Sequence, residues 1–318
     1  MNHICIMEQD GSVIRSTGSH YTVMFADGRT MECRLKGKFR TKGLKNTNPV
    51  VVGDKVRVVT DEKHQIGIIT EIYPRTNYII RKAPRSSSPI SILAANIDQA
   101  LLVVTLHRPP TSTGFIDRFL LTAEAYEIPV YLVFNKMDLY NDDDLELLDT
   151  FAKYYASCGY GIIFTSVVMH QGLDELKEVL HNRTTLLAGH SGVGKSALIH
   201  AIEPSLNIKI GEISAYHKKG KHTTTFAQMH PLSHGGFIVD TPGIKEFGII
   251  DFKKEEVALY FPEMRKLLPQ CQFYNCTHDH EPGCAVKQAV KDGEIASWRY
   301  HNYLSVIHGE EIENAFSS

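Results

Sequence analysis

The feature that most constrains this chain is the loop Gly189-His190-Ser191-Gly192-Val193-Gly194-Lys195-Ser196, which fits G-x-x-x-x-G-K-[ST]. It follows an apolar run, Thr185 to Ala188, and opens another at Ala197-Leu198-Ile199. A strand that turns through glycines into a helix is the context in which this motif holds phosphate. The glycines let successive backbone amides converge on phosphate oxygens, and the helix N-terminus adds its partial positive charge. Lys195 is placed to reach the β- and γ-phosphates, and the Ser196 hydroxyl to ligate Mg2+. The alternative is a Gly-rich turn that happens to contain lysine, and the flanking strand and helix argue against it.

A phosphate loop does not choose a base. Asn135-Lys136-Met137-Asp138 follows the apolar run Val130 to Phe134 and fits N-K-x-D. The Asp138 carboxylate can accept from both guanine N1–H and the exocyclic amine, a pair that adenine lacks. Asn135 is expected to tie this loop to the phosphate loop, and the Lys136 stem to pack on the purine. Thr165-Ser166-Val167, after Ile162-Ile163-Phe164, matches the remaining guanine loop by position. Asp240-Thr241-Pro242-Gly243 fits D-x-x-G after Phe237 to Val239. Asp240 would hold Mg2+ and the Gly243 amide would meet the γ-phosphate, although such a tetrapeptide is also a common turn.

The order is unusual. GTPases ordinarily run phosphate loop, switch threonine, D-x-x-G and N-K-x-D, whereas here N-K-x-D comes first. The chemistry survives permutation because all these loops belong at the carboxyl ends of parallel strands. Alternation of apolar runs at Ala100 to Thr105, Val130 to Phe134, Ile162 to Phe164, Thr185 to Ala188 and Phe237 to Val239 with amphipathic segments predicts a doubly wound α/β domain over residues 75–250. Thr113 is the expected N-cap of its first helix.

Residues 1–74 read as all-β. The alternating runs Tyr21 to Phe25 and Thr30 to Leu35 flank an Asp27-Gly28 turn, and Val50 to Val52, Lys55 to Val59 and Ile66 to Ile69 supply further short strands. Five strands suggest an OB-fold barrel, with an SH3-like barrel the alternative. Arg81 to Pro89 is a basic, Pro- and Ser-rich linker. Residues 251–318 are mainly helical around Cys271, Cys276, His278 and Cys284, spaced C-x4-C-x-H-x5-C. Three thiolates and an imidazole predict one closed structural Zn2+ site, with His280 the rival ligand. The other cysteines, Cys5, Cys33 and Cys158, are scattered, so a disulfide framework is not expected.

The formal net charge of -2 excludes a global polycation, so nucleic acid must be met by local patches. Arg34, Lys36, Lys38, Arg40, Lys42 and Lys45 form one such stretch without intervening acid, and His217 to His222 another. Lys36, Lys38 and Arg40 are the expected RNA contacts, against the plainer reading of a solvated loop. No run is long enough to span a bilayer, and residues 1–10 do not resemble a signal peptide.

With these motifs, the chain resembles the RsgA family of ribosome small-subunit-dependent GTPases. The resemblance rests on Cys33 to Arg40, Val52-Gly53-Asp54, Asn135 to Asp138, the phosphate loop, Gly220 to Thr225, Asp240 to Gly243, and Cys271 to Cys284 with Glu281-Pro282-Gly283. It implies an N-terminal OB-fold, a circularly permuted P-loop GTPase and a zinc domain. It further implies GTP and GDP as ligands, the small ribosomal subunit and its rRNA as partner, and a role in late maturation of that particle. A cytoplasmic monomer, with neither DNA nor membrane as partner, is the corresponding expectation. Hydrolysis is expected to be slow alone. Ile244 stands where Ras-type enzymes carry the water-orienting glutamine, so His222 is the candidate to position water, beside Lys195. Thr224 is the candidate switch threonine for Mg2+ and the γ-phosphate. The competing classes are an RNA-binding module that uses GTP only structurally, and a P-loop kinase, which N-K-x-D disfavours.

Overall fold

Gly28 adopts φ of +80°, and its amide donates to the Phe25 carbonyl at 3.0 Å, which reverses the chain within four residues. A residue with Cβ is strained in that region, so Asp-Gly fixes the hairpin here. A computed structural model of the protein describes residues 6–37, 49–61, 66–81, 91–206, 227–240 and 252–310. The chain divides into two compact units, one of residues 1–99, 178–187 and 205–248 and the other of 100–177, 188–204 and 249–318.

In the first unit, β1 (Ile6–Thr17), β2 (His20–Phe25), β3 (Thr30–Leu35), β4 (Lys55–Asp61) and β5 (Gly67–Ile72) close on themselves. The pairing order is β1-β2-β3-β5-β4-β1, antiparallel except for β3 with β5. That closed five-strand order is the OB-like barrel, and it removes the SH3-like alternative. Tyr21, Val23 and Phe25 alternate inward on β2 and meet Val13, Val56, Val58 and Ile69. Each such side chain contributes about 1.5–3 kcal/mol by leaving water. One expected strand is not one. Val50, Val51 and Val52 are buried but form no ladder: Ser16 Oγ donates to the Val50 carbonyl at 3.2 Å, the Val51 amide donates to Asp54 at 2.8 Å, and Val52 makes one isolated bridge to Ala94, its carbonyl accepting from the Ala95 amide at 2.9 Å. The fifth strand is instead the 12-residue β1. A two-stranded ladder, β6 (Tyr78–Arg81) with β7 (Ser91–Ala95), follows the barrel. Most of the expected linker lies at 82–90, outside the described residues.

The second unit is built on three parallel strands, β8 (Gln99–Val104), β9 (Val130–Asn135) and β10 (Gly161–Thr165), with β9 central. Its helices include α1 (Thr113–Ala125) and α2 (Asp142–Ser157). The N-cap of α1 is Ser112 rather than Thr113. The Ser112 backbone is extended and its Oγ accepts from the Phe115 amide at 3.2 Å, while Thr113 is already helical and buried. Helix α3 (Leu173–Leu180) leads back to the first unit, where β11 (Thr184–Ala188) runs parallel to β13 (Phe237–Asp240), and β12 (Gln228–Pro231) pairs antiparallel with β13. The chain then leaves β11 into the phosphate loop and α4 (Lys195–Ile202). The C-terminal part of the second unit holds α5 (Ala285–Lys291) and α6 (Ser297–His308). Its core of Val257, Phe261, Met264, Val286 and Tyr303 also includes Leu121 of α1. Among the described residues, no helix is long and apolar enough to cross a membrane.

Candidate nucleotide and metal sites

The base-reading motif stands at the carboxyl end of β9, where a parallel sheet presents its loops to ligands. Asn135 is 2% exposed, and both ends of its carboxamide are committed. Nδ2 donates to the Val193 carbonyl at 2.8 Å, while Oδ1 accepts from Thr165 Oγ1 at 3.0 Å. Ser166 Oγ, fully buried, donates to Asp138 Oδ1 at 2.5 Å and orients that carboxylate. The Met169 amide donates to the same Ser166 oxygen at 3.1 Å, which turns the loop back on itself. Lys136 Nζ donates to the Gly192 carbonyl at 2.7 Å and to the Arg108 carbonyl. Thus three loops distant in sequence are cross-braced within one unit.

The bracing explains one glycine of the phosphate loop. A Cβ at Gly194, whose φ is +102°, would lie 2.3 Å from Asn135 Nδ2. Any other residue there would push the two loops apart. Gly194 also caps α4, whose first residues are Lys195 and Ser196. Lys195 Nζ donates to the Gly189 and His190 carbonyls, both at 2.6 Å, so the ammonium is folded over the loop it serves. The His190 ring packs on Phe115 of α1 with centroids 3.9 Å apart. Ser191 and Gly192 are exposed, and Val193 is buried beneath them.

The metal-type residues converge as well. One donor atom from each of Cys271, Cys276, His278 and Cys284 lies within 4.8 Å of the others. His278 Nδ1 is 3.3 Å from Cys284 Sγ and 3.6 Å from Cys271 Sγ. Donors about 2.0–2.3 Å from a shared centre lie roughly this far apart, so the set suits a tetrahedral ion. His280 leaves 83% of its side chain exposed and stands outside the cluster. Glu281 shapes the intervening loop by accepting from the Thr277 amide at 2.8 Å, the Thr277 hydroxyl at 2.6 Å and the Asp279 amide at 3.1 Å. Against a burial penalty that raises it, the bonds from Thr277 hold the Glu281 carboxyl down at about 2.

Asp240 closes β13 in the first unit. Lys36 is exposed just beyond β3, its amide donating to the Ile69 carbonyl at 3.1 Å. Lys38, Arg40, His222, Thr224 and Gly243 lie outside the described residues. Sequence reading did not find a buried polar group centred on Asp117 of α1, which is fully buried. It accepts from Arg299 Nη1, from Asn302 Nδ2 at 2.6 Å and from Tyr155 OH at 2.7 Å. Neither Asp117 nor Arg299 carries a local signal, because a charged residue on an amphipathic helix is ordinarily solvated.

Residues 72–250 match the family model described as RsgA GTPase, and residues 10–69 match that described as RsgA N-terminal domain. The chain is 50% identical over 301 residues to a Bacteroides fragilis protein named small ribosomal subunit biogenesis GTPase RsgA, covering 95% of this chain and 97% of that one. A Phocaeicola vulgatus protein of the same name is 51% identical over 301 residues, with the same coverage of 95% and 97%. Among solved structures, YjeQ from Thermotoga maritima matches with a TM-score of 0.79 at 38% identity, covering 95% of this chain and 98% of that one. YloQ, described as a circularly permuted GTPase, matches with a TM-score of 0.74 at 30% identity, covering 97% and 96%.

Proposed function

The chain belongs to the RsgA family of GTPases, and from that premise we propose that it hydrolyses GTP on the small ribosomal subunit during late maturation of that particle. The observation that carries the nucleotide part is Asn135, which joins the base-reading loop to the phosphate loop through Val193 and is itself oriented by Thr165. A site braced in this way is preorganised for one nucleotide and needs little rearrangement to bind it.

Asp138 selects guanine, and Gly189 to Ser196 hold the phosphates. Ser196, Thr224 and, by its motif, Asp240 are the residues that would hold Mg2+, which supplies charge neutralisation at the phosphates. Lys195 neutralises the β- and γ-phosphate oxygens. His222 orients the attacking water when the subunit is bound, because Ile244 can neither donate nor accept a hydrogen bond. Cys271, Cys276, His278 and Cys284 would hold one Zn2+. With all four donors from protein the site is structural and clamps a short segment. Lys36, Lys38 and Arg40 meet rRNA phosphates. The protein works as a cytoplasmic monomer.

Nucleotide-dependent association tests this reading. Small subunits sedimented with the chain should retain more of it with a non-hydrolysable GTP analogue than with GDP. Equal retention in both states would point instead to an RNA-binding module that uses the nucleotide only structurally.

A further inference from the structure

The buried polar group at Asp117 takes no part in the chemistry above, yet it lies between the metal cluster and the phosphate loop. Helix α6 presents two sets of residues. Tyr300 OH donates to the His278 carbonyl at 2.5 Å and Tyr303 OH to the Thr277 carbonyl at 2.6 Å, so one set grips the metal-binding loop. Arg299 and Asn302 both donate to Asp117 of α1, so the other set grips the core. Arg299 Nε also donates to Glu263 at 2.7 Å, and its guanidinium lies 4.4 Å from the Phe261 ring centroid. Two residues before Asp117, Phe115 packs against His190 of the phosphate loop, and the His190 carbonyl accepts from Lys195. A continuous path therefore runs from the metal ligands through α6 and α1 to the lysine that meets phosphate.

The composition of the joint is informative. Arg299 is 1% and Asp117 0% exposed. A buried ion pair adds little net stability over apolar packing of equal volume, because desolvation offsets the attraction. What it adds is direction. A planar guanidinium bonded to both Asp117 and Glu263 constrains the alignment of α6 on α1 in direction, which the non-directional apolar packing around Leu121 does not. We propose that Arg299, acting through Asp117 and Phe115, is a positioning residue for the phosphate loop, and that it couples metal occupancy of the Cys3His cluster to nucleotide affinity. The inference rests on the guanine-nucleotide and metal readings above. Coupling of this kind is reciprocal: bound nucleotide tightens metal retention by the factor by which metal tightens nucleotide.

The test is a titration of the full chain, metal-loaded and chelated, with GDP and with a non-hydrolysable GTP analogue. In the wild type, chelation should weaken at least one nucleotide by about fivefold or more, the lower end of usual coupling. Two variants break the path at different points. Arg299→Met with Asp117→Leu removes the directional joint and puts apolar side chains in its place. Phe115→Leu cuts the contact with His190 and leaves joint and ligands in place. In both, the loaded-to-chelated ratio should fall below about twofold, with metal content unchanged. If the double variant does not fold, Phe115→Leu carries the test alone. A wild-type ratio of one, or the wild-type ratio kept in either folded variant, would overturn the proposal. Absence of guanine-nucleotide binding by the metal-loaded wild type would overturn the reading of the site, and this inference with it.

Discussion

The Asn135 carboxamide donates to the Val193 carbonyl at 2.8 Å, a contact between residues 58 apart in sequence. It makes the base-reading and phosphate loops one piece although the chain visits them in reversed order. Asn135→Ala should leave the Val193 carbonyl without this donor and the Thr165 hydroxyl without its acceptor. Losing a buried bond of this kind costs about 1–3 kcal/mol, which is roughly five- to 150-fold in affinity. GTP and GDP should weaken together in a fluorescent-nucleotide titration. Unchanged affinity for both would show that the brace is dispensable.

Base choice should rest on Asp138, which Ser166 orients at 2.5 Å. Asp138→Asn should weaken GTP by on the order of 1.5–3 kcal/mol, the usual contribution of bonds to a charged group. Xanthine nucleotides should gain, because their extra carbonyl accepts from the new amide. Competition between GTP and XTP measures the shift, and an unaltered preference would remove Asp138 from the role.

Much of this was legible before the fold was known, and the failures have physical causes. The motif loops were readable because a strand, a glycine turn and a helix start leave marks within ten to fifteen residues. The hairpin at Gly28 was readable for the same reason. Strand β1 was hidden because Met7 to Ser12 is largely polar and, among its described side chains, Val13 and Ser16 alone are buried. The Val50 to Val52 run misled because its burial belongs to a connector held by the Ser16 and Asp54 side chains and by one isolated bridge to Ala94, not by a strand ladder. Ser112 and Thr113 offer equal capping chemistry, so only backbone geometry separates them. The Asp117 and Arg299 pair joins positions 182 apart, and no periodicity carries that information.

Metal removal should act on stability more than on the nucleotide. Purified protein should contain about one zinc per chain, given four protein donors. Cys276→Ser should lose the metal and lower the melting temperature, while guanine nucleotides still bind, weakened by about five- to tenfold. Complete loss of binding in a variant with an intact core spectrum would contradict the structural role of the site.

Subunit association should depend on the basic stretch after β3. Replacing Lys36, Lys38 and Arg40 by Glu should weaken binding and reduce the slope of log affinity against log salt by about 2–3 for three phosphate contacts. The same slope in wild type and variant would return the stretch to a solvated loop.

His222→Ala separates docking from chemistry. Normal subunit binding with most of the stimulated rate lost would support water positioning. Equal losses in binding and rate, or no loss in either, would exclude it.

The most direct measurement is steady-state phosphate release from GTP by the full chain, with and without small ribosomal subunits. The chain should turn over slowly alone and accelerate by at least about tenfold with subunits, since a group that positions water is worth about 10²–10⁴-fold at full effect. Release at the same rate in both conditions would contradict a GTPase whose site is completed by that particle.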